Sequence, residues 1–176
     1  MLYYLDEGIG IIRRFMEAGG DVLWLIAILT FVMWTLAFER FWYFRTSLRR
    51  DVDAVVATWS KRPERRSWHA RQIRAKLLSE VNERINHNLP MIQTLVTLCP
   101  LLGLLGTVTG MIEVFHIMAV TGGGDAKSMA GGVSKATIPT MAGMVAALSG
   151  VAVNTYIRNI ANRESKLLED HLTTDH

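Results

Sequence analysis

Long stretches of the chain carry no charged residue, among them 22–38, VLWLIAILTFVMWTLAF, and 91–112, MIQTLVTLCPLLGLLGTVTGMI. Charge-free apolar runs of this length are candidates to cross a bilayer. The pattern predicts a first span over 21–44, edged by tryptophan and tyrosine as interface anchors, and a second over 91–120. A third, over 133–158, is apolar but contains Lys135, threonines and Pro139. Between the first two spans, residues 45–90 are polar. There Ile73, Leu77, Leu78, Val81 and Ile85 recur at helical spacing, which predicts a helical stalk leading toward the second span with a break at Pro90. The tail, 159–176, repeats the pattern with Ile160, Leu167 and Leu168 as a partner stripe. Residues 1–20 form an N-terminal segment, and 121–132, TGGGDAKSMAGG, a short turn.

Composition agrees with this division. Half of the 176 residues are hydrophobic and only 20% are charged, with a mean hydropathy of +0.22, too oily for an ordinary soluble domain. A cleaved signal peptide fits the first run poorly, since the run is too long and no A-x-A site follows it. Charge then sets orientation. Residues 1–20 hold Arg13 and Arg14 against Asp6, Glu7 and Glu17, whereas Arg45 to Arg84 holds eleven basic residues against five acidic ones. Basic flanks resist translocation, so 45–90 and the tail are expected in the cytoplasm, with the N-terminus and the 121–132 turn outside. The same asymmetry explains a pI of about 9.2 without nucleic acid as a partner.

Little in the chain suggests enzyme chemistry. Cys99 is the only cysteine, so neither a disulfide framework nor a CxxC site can form, and the residue is expected to pack. The histidines are scattered, and His116 is either a packed or interfacial residue or a ligand or proton carrier. No metal site, cofactor site or nucleophile with a base is apparent. TGGGDAKS lacks the spacing of a phosphate loop.

The second and third spans read as one object. Gly103, Gly106 and Gly110 thin one helix, and Gly143, Ala147 and Gly150 the other, which lets backbones approach closely in lipid. Thr137, Thr140, Ala147 and Asn154 fall along one small, polar stripe of the third span. If the two form a hairpin turning at Gly122 to Gly124, Thr107 and Thr140 lie at equal depth, and so do Glu113 and Lys135 about 8–9 Å further out at the helical rise. A charge inside the bilayer faces a partner or a cavity, so Glu113 and Lys135 either pair near the outer end of the hairpin or separately snorkel to the interface. Pro139 frees a backbone carbonyl and kinks the span, either for packing or to open polar backbone beside Thr140.

CPLLGLLGTVTGM resembles the second-span motif of the ExbB/TolQ/MotA family, in which a proline, here Pro100, precedes a G-L-x-G-T-V-x-G run. GGVSKATIPTMAGMVAALSGVAVNTYI resembles that family's third span, and FERFWYF the end of its first. Within the family the pattern is most like the ExbB-like members that serve TonB-type systems. The resemblance implies an all-α membrane protein of the bacterial inner membrane, with three transmembrane helices extended into a cytoplasmic helical stalk and the N-terminus periplasmic. It further implies a homo-oligomeric, pentameric ring around an ExbD-like single-span partner with a membrane aspartate. Such a complex uses the proton gradient to drive a TonB-like protein, energising outer-membrane uptake of siderophore iron, haem or vitamin B12.

Carried over to this chain, Thr107 and Thr140 match the family's pore-facing threonines, with Thr137 and Asn154 on the same stripe as further candidates. Lys135 departs from the pattern, because ExbB and TolQ proteins commonly carry a glutamate there, associated with proton passage. A lysine cannot act as a carboxylate relay. Glu113 stands where better-known ExbB sequences have asparagine. Two other readings remain at this level: a passive membrane scaffold, and the same motor serving a TolQ-like role in envelope integrity. The short cytoplasmic segment argues against a flagellar stator subunit.

Overall fold

The computed structural model describes residues 2–61, 67–122 and 126–171. Arg62, Arg65 and Arg66 of the basic segment, Gly123 and Gly124 of the expected turn, and residues 172–176 of the tail lie outside them. Among the described residues every regular element is an α-helix: α1 (Leu2–Thr46), α2 (Leu48–Ser60), α3 (Trp68–Asn86), α4 (Leu89–Thr121), α5 (Ala126–Ala136) and α6 (Ile138–His171). Three helical stretches are long and apolar enough to cross a membrane, within Gly19–Thr46, Trp68–Val120 and Met129–His171. The chain divides into two compact units, residues 1–33 with 94–151 and residues 34–93 with 152–176.

In the first unit, α1 leaves helical geometry at Gly20 (φ 65°, ψ −163°), a region of backbone space essentially restricted to glycine. The helix is therefore already present in the N-terminal segment, and its interruption falls where the sequence places the start of the first span. Leu23, Ile26 and Met33 of α1 are buried, as are Val96 and Cys99 of α4 and Ala146 of α6. The opposite faces are apolar and exposed: Trp24, Ile28 and Phe31 on α1, Leu101, Leu104 and Val108 on α4, Met141, Val145 and Leu148 on α6. In water, patches of this extent would be an association hazard. For helices with satisfied backbones they suit lipid or neighbouring helices.

The third span is two helices rather than one running from 133. α5 ends at Ala136 and α6 begins at Ile138, with the Thr137 carbonyl accepting from the Met141 N–H at 3.2 Å. Pro139 explains the position of the break. It has no N–H to donate, so it fits best in the first turn of a new helix, where that donor would have no helical acceptor. Pro100, by contrast, lies inside α4 without ending it. α6 continues to His171, so the third span from Ile138 onward and the tail are one helix.

In the second unit, Ser67 caps α3, its hydroxyl accepting from the Ala70 N–H at 3.2 Å. Trp59 of α2, Val81 and Ile85 of α3, Leu89 and Ile92 of α4, and Ile157, Ala161 and Leu168 of α6 are buried. Of the expected stalk stripe, Ile73, Leu77 and Leu78 are half-buried. In the tail Leu168 is buried, Ile160 half-buried and Leu167 exposed. The break between stalk and second span falls at His87 and Asn88 rather than at Pro90. Asn88 adopts φ 63°, which asparagine tolerates better than most residues with a Cβ, and Pro90 sits harmlessly in the first turn of α4.

Candidate functional site

The site starts from missing side chains. Gly103, Gly106 and Gly110 recur along one face of α4, and the third-span helices press against that face. A Cβ on Gly103 would lie 2.9 Å from Thr140 Cα and 3.0 Å from the Pro139 carbonyl oxygen, and one on Gly110 would lie 2.8 Å from Ala136 Cβ. A Cβ on Gly106 would run into the Pro139 ring. From the other side, a Cβ on Gly143 would lie 2.5 Å from the Cys99 carbonyl oxygen, and one on Gly150 2.5 Å from Met33 Sδ. The backbones themselves are in contact, as small-residue faces permit in membranes.

This closeness lets a short side chain on one helix reach the backbone of the other. Thr140 Oγ1 donates to the Gly103 carbonyl at 2.8 Å. Thr107, one turn beyond Gly103 on α4, is hydrogen-bonded through its hydroxyl to that of Thr140, while its distance to the Gly103 carbonyl is 3.4 Å. Each hydroxyl has one proton. With Thr140's committed to Gly103, Thr107 is the donor in the Thr107–Thr140 bond, and the Thr107 oxygen keeps acceptor capacity. The result is a directed chain, Thr107 to Thr140 to the Gly103 carbonyl. Both side chains are only half-buried, so the chain remains open to a group approaching from outside the hairpin.

The other candidates occupy different surroundings. Thr137 is exposed and donates to the Ser134 carbonyl at 2.8 Å, and Thr109 donates to Leu105 of its own helix at 3.0 Å, the common fate of helical threonines. Asn154 belongs to the second unit. Its Oδ1 is buried without a hydrogen bond among the described residues, as is Arg158 Nε one turn further along α6, whose guanidinium donates through Nη2 to Gln93. Glu113 and Lys135 are both exposed, and the ion pairs among the described residues do not include one between them. Lys135 lies in the last turn of α5, where the helix dipole favours a cation. No group of three or more histidines, cysteines or acids fit to hold a metal occurs among the described residues.

The sequence profile described as the MotA/TolQ/ExbB proton channel family matches residues 43–170. The chain belongs to that family. Its MotA/TolQ/ExbB relatives include a "Putative biopolymer transport protein ExbB-like 1" of Synechocystis sp., 32% identical over 168 residues, covering 77% of this chain and 66% of the relative. The "Biopolymer transport protein ExbB" of Helicobacter pylori is 34% identical over 82 residues, covering 46% of this chain and 57% of the relative. "Biopolymer transport protein exbB1" of Vibrio cholerae is 35% identical over 96 residues, covering 54% and 42%. The chain spans between 39% and 66% of the length of the curated relatives it matches. Thr107, Thr140 and the glycines that bring them together all lie within the stretch that matches the MotA/TolQ/ExbB profile.

Three features of this family member escape a reading by motif. The acceptor for Thr140 is a backbone carbonyl, which no side-chain pattern announces. The surface under Gly143 is likewise the backbone of Cys99. Arg40 is the buried charged side chain among the described residues, 4% exposed. Its signal was present in the sequence, as a charge one turn after Ala37 just beyond a charge-free run.

Proposed function

We propose that this chain is an ExbB-like subunit of a proton-driven motor in the bacterial inner membrane, oriented with the N-terminus outside and residues 45–90 in the cytoplasm. In this reading it forms a ring around a single-span partner carrying a membrane aspartate and drives a TonB-like protein in the uptake of siderophore iron, haem or vitamin B12. The observation that carries the reading is the Thr107–Thr140–Gly103 chain on a membrane hairpin of this family. A protonated carboxyl on the partner donates to the free acceptor side of Thr107. An ionised one accepts from Thr107 once that hydroxyl turns from Thr140. The pair thus serves both protonation states without titrating. The driving energy is the proton's own, about 2.3 kcal/mol per charge per 100 mV. Asn154, with its Oδ1 buried on α6, is a further polar candidate of this reading.

Copurification from native membranes tests the proposal. It predicts a single-span protein with an intramembrane aspartate and a TonB-like protein in the same complex. Recovery of a homo-oligomer with neither would refute it.

Glu113 and Lys135, in the same reading, reach separately for the outer interface rather than pairing. Charge reversals Glu113→Lys and Lys135→Glu should therefore have additive effects on assembly, within about 0.5 kcal/mol. Rescue of both single variants by the double reversal, seen as restored oligomer on native gels, would instead establish the pair.

A further inference from the structure

A buried arginine needs acceptors for its donors, and where Arg40 finds them is informative. Its Nε and Nη2 donate to the Glu39 carboxylate at 3.1 and 3.2 Å, and its Nη1 donates to the Arg84 carbonyl at 3.1 Å. Nη2 also meets His87 Nδ1 at 2.9 Å, and the guanidinium lies 5.2 Å from the centre of the Tyr43 ring. Arg84 stands in the last turn of α3, which ends at Asn86, and the final carbonyls of a helix have no partner within it. Arg40 thus caps α3 from α1. Across the break, Asn88 donates through Nδ2 to Glu39 Oε2 at 3.3 Å. One turn of α1 grips both sides of the α3–α4 junction.

We propose that His87 makes this grip a pH-sensitive clamp, closed while its imidazole is neutral and loosened when it gains a proton. Arginine is always a donor, so Nδ1 must be the acceptor, and only a neutral ring with its hydrogen on Nε2 offers that lone pair. Protonation removes the acceptor and sets a second cation against Arg40. The surrounding charges set the balance. Arg40, held by the Glu39 carboxylate, meets the ring from α1. Asp51 of α2 is engaged with the Tyr43 hydroxyl at 2.8 Å and with Arg84 of α3 at 3.4 Å. On α6, Arg158 donates to Gln93 and Arg163 pairs with Glu164 at 3.7 Å, and the charged side chain in hydrogen-bond contact with His87 is Arg40.

The sign follows directly. The bond exists while the ring is neutral and is lost as falling pH protonates it. His87 is exposed, so protons reach it from the side that the proposed orientation assigns to the cytoplasm. A motor that admits protons to that side would then loosen its own stalk junction as acid accumulates, a consequence that rests on the proposed function. The clamp itself does not.

Amide hydrogen exchange across residues 84–92 of the full-length protein in lipid nanodiscs tests it, with rates corrected for the intrinsic pH dependence of exchange. The wild type should lose protection at this junction about tenfold between pH 8 and pH 5, the scale of one hydrogen bond to a charged group. His87→Gln, whose amide oxygen accepts without titrating, should keep a flat profile, and amides of residues 96–110 should stay unchanged in both proteins as the internal reference. A flat wild-type profile would overturn the proposal, and so would the same loss in His87→Gln. Neither result depends on a partner, on proton flux or on membrane orientation, so failure here is distinguishable from failure of the motor assignment.

Discussion

Gly143→Ala should destabilise the hairpin by about 1–3 kcal/mol, the usual range for forcing atoms into a packed interface. The added Cβ would lie 2.5 Å from the Cys99 carbonyl oxygen and 3.2 Å from Gly103 Cα. Both are backbone atoms, so no rotamer change relieves the clash and the helices must move apart. Thr140, nearly one turn before Gly143, would be drawn from the Gly103 carbonyl it now meets at 2.8 Å, and the hydrogen-bond chain would break along with the packing. Gly131→Ala supplies the control, because a Cβ there meets nothing within 4 Å and alanine is the better helix former by about 1 kcal/mol. Unfolding in detergent followed by circular dichroism should rank the proteins Gly131→Ala, then wild type, then Gly143→Ala. A Gly143→Ala protein as stable as wild type would mean the α4–α6 contact is looser than described.

Much of this arrangement is legible in the sequence, for identifiable reasons. The spans announce themselves because lipid tolerates few charges, and 22–38 and 91–112 have none. The equal depth of Thr107 and Thr140 follows from helical rise and the glycine turn alone, and the structure joins the two hydroxyls. Other features depend on energies that no periodicity reveals. The third span reads as one apolar run, yet Pro139 makes it two helices divided at Thr137. The stalk reads as breaking at its proline, yet a proline in a first turn costs nothing, and the left-handed backbone of Asn88 sets the break. Arg40 is buried because the end of α3 and His87 supply its acceptors, a long-range arrangement that the local pattern marks only as a charge just beyond an apolar run.

Thr140→Val bears on the motor most directly, since valine keeps the shape of threonine and removes its hydroxyl. In membranes such a hydrogen bond contributes about 0.6 kcal/mol on average, so the hairpin should still fold and assemble. The loss to function should be larger. Without Thr140 Oγ1, the Gly103 carbonyl loses its second donor and Thr107 loses the acceptor that sets its direction. In the proposed reading the Thr107 hydroxyl then turns back to the Gly103 carbonyl of its own helix, 3.4 Å away, and is lost to the partner carboxyl; one hydrogen bond to a charged group, about 1.5–3 kcal/mol, corresponds to a tenfold or greater fall in rate. Thr140→Ser, which retains the hydroxyl, should stay near wild type.

The decisive measurement is proton uptake into vesicles containing the copurified complex under an imposed membrane potential, compared at equal assembly among wild type, Thr140→Ser and Thr140→Val. A fall of about tenfold or more in Thr140→Val alone is the predicted result, and wild-type flux in Thr140→Val would contradict the assignment of the threonine chain to the proton path.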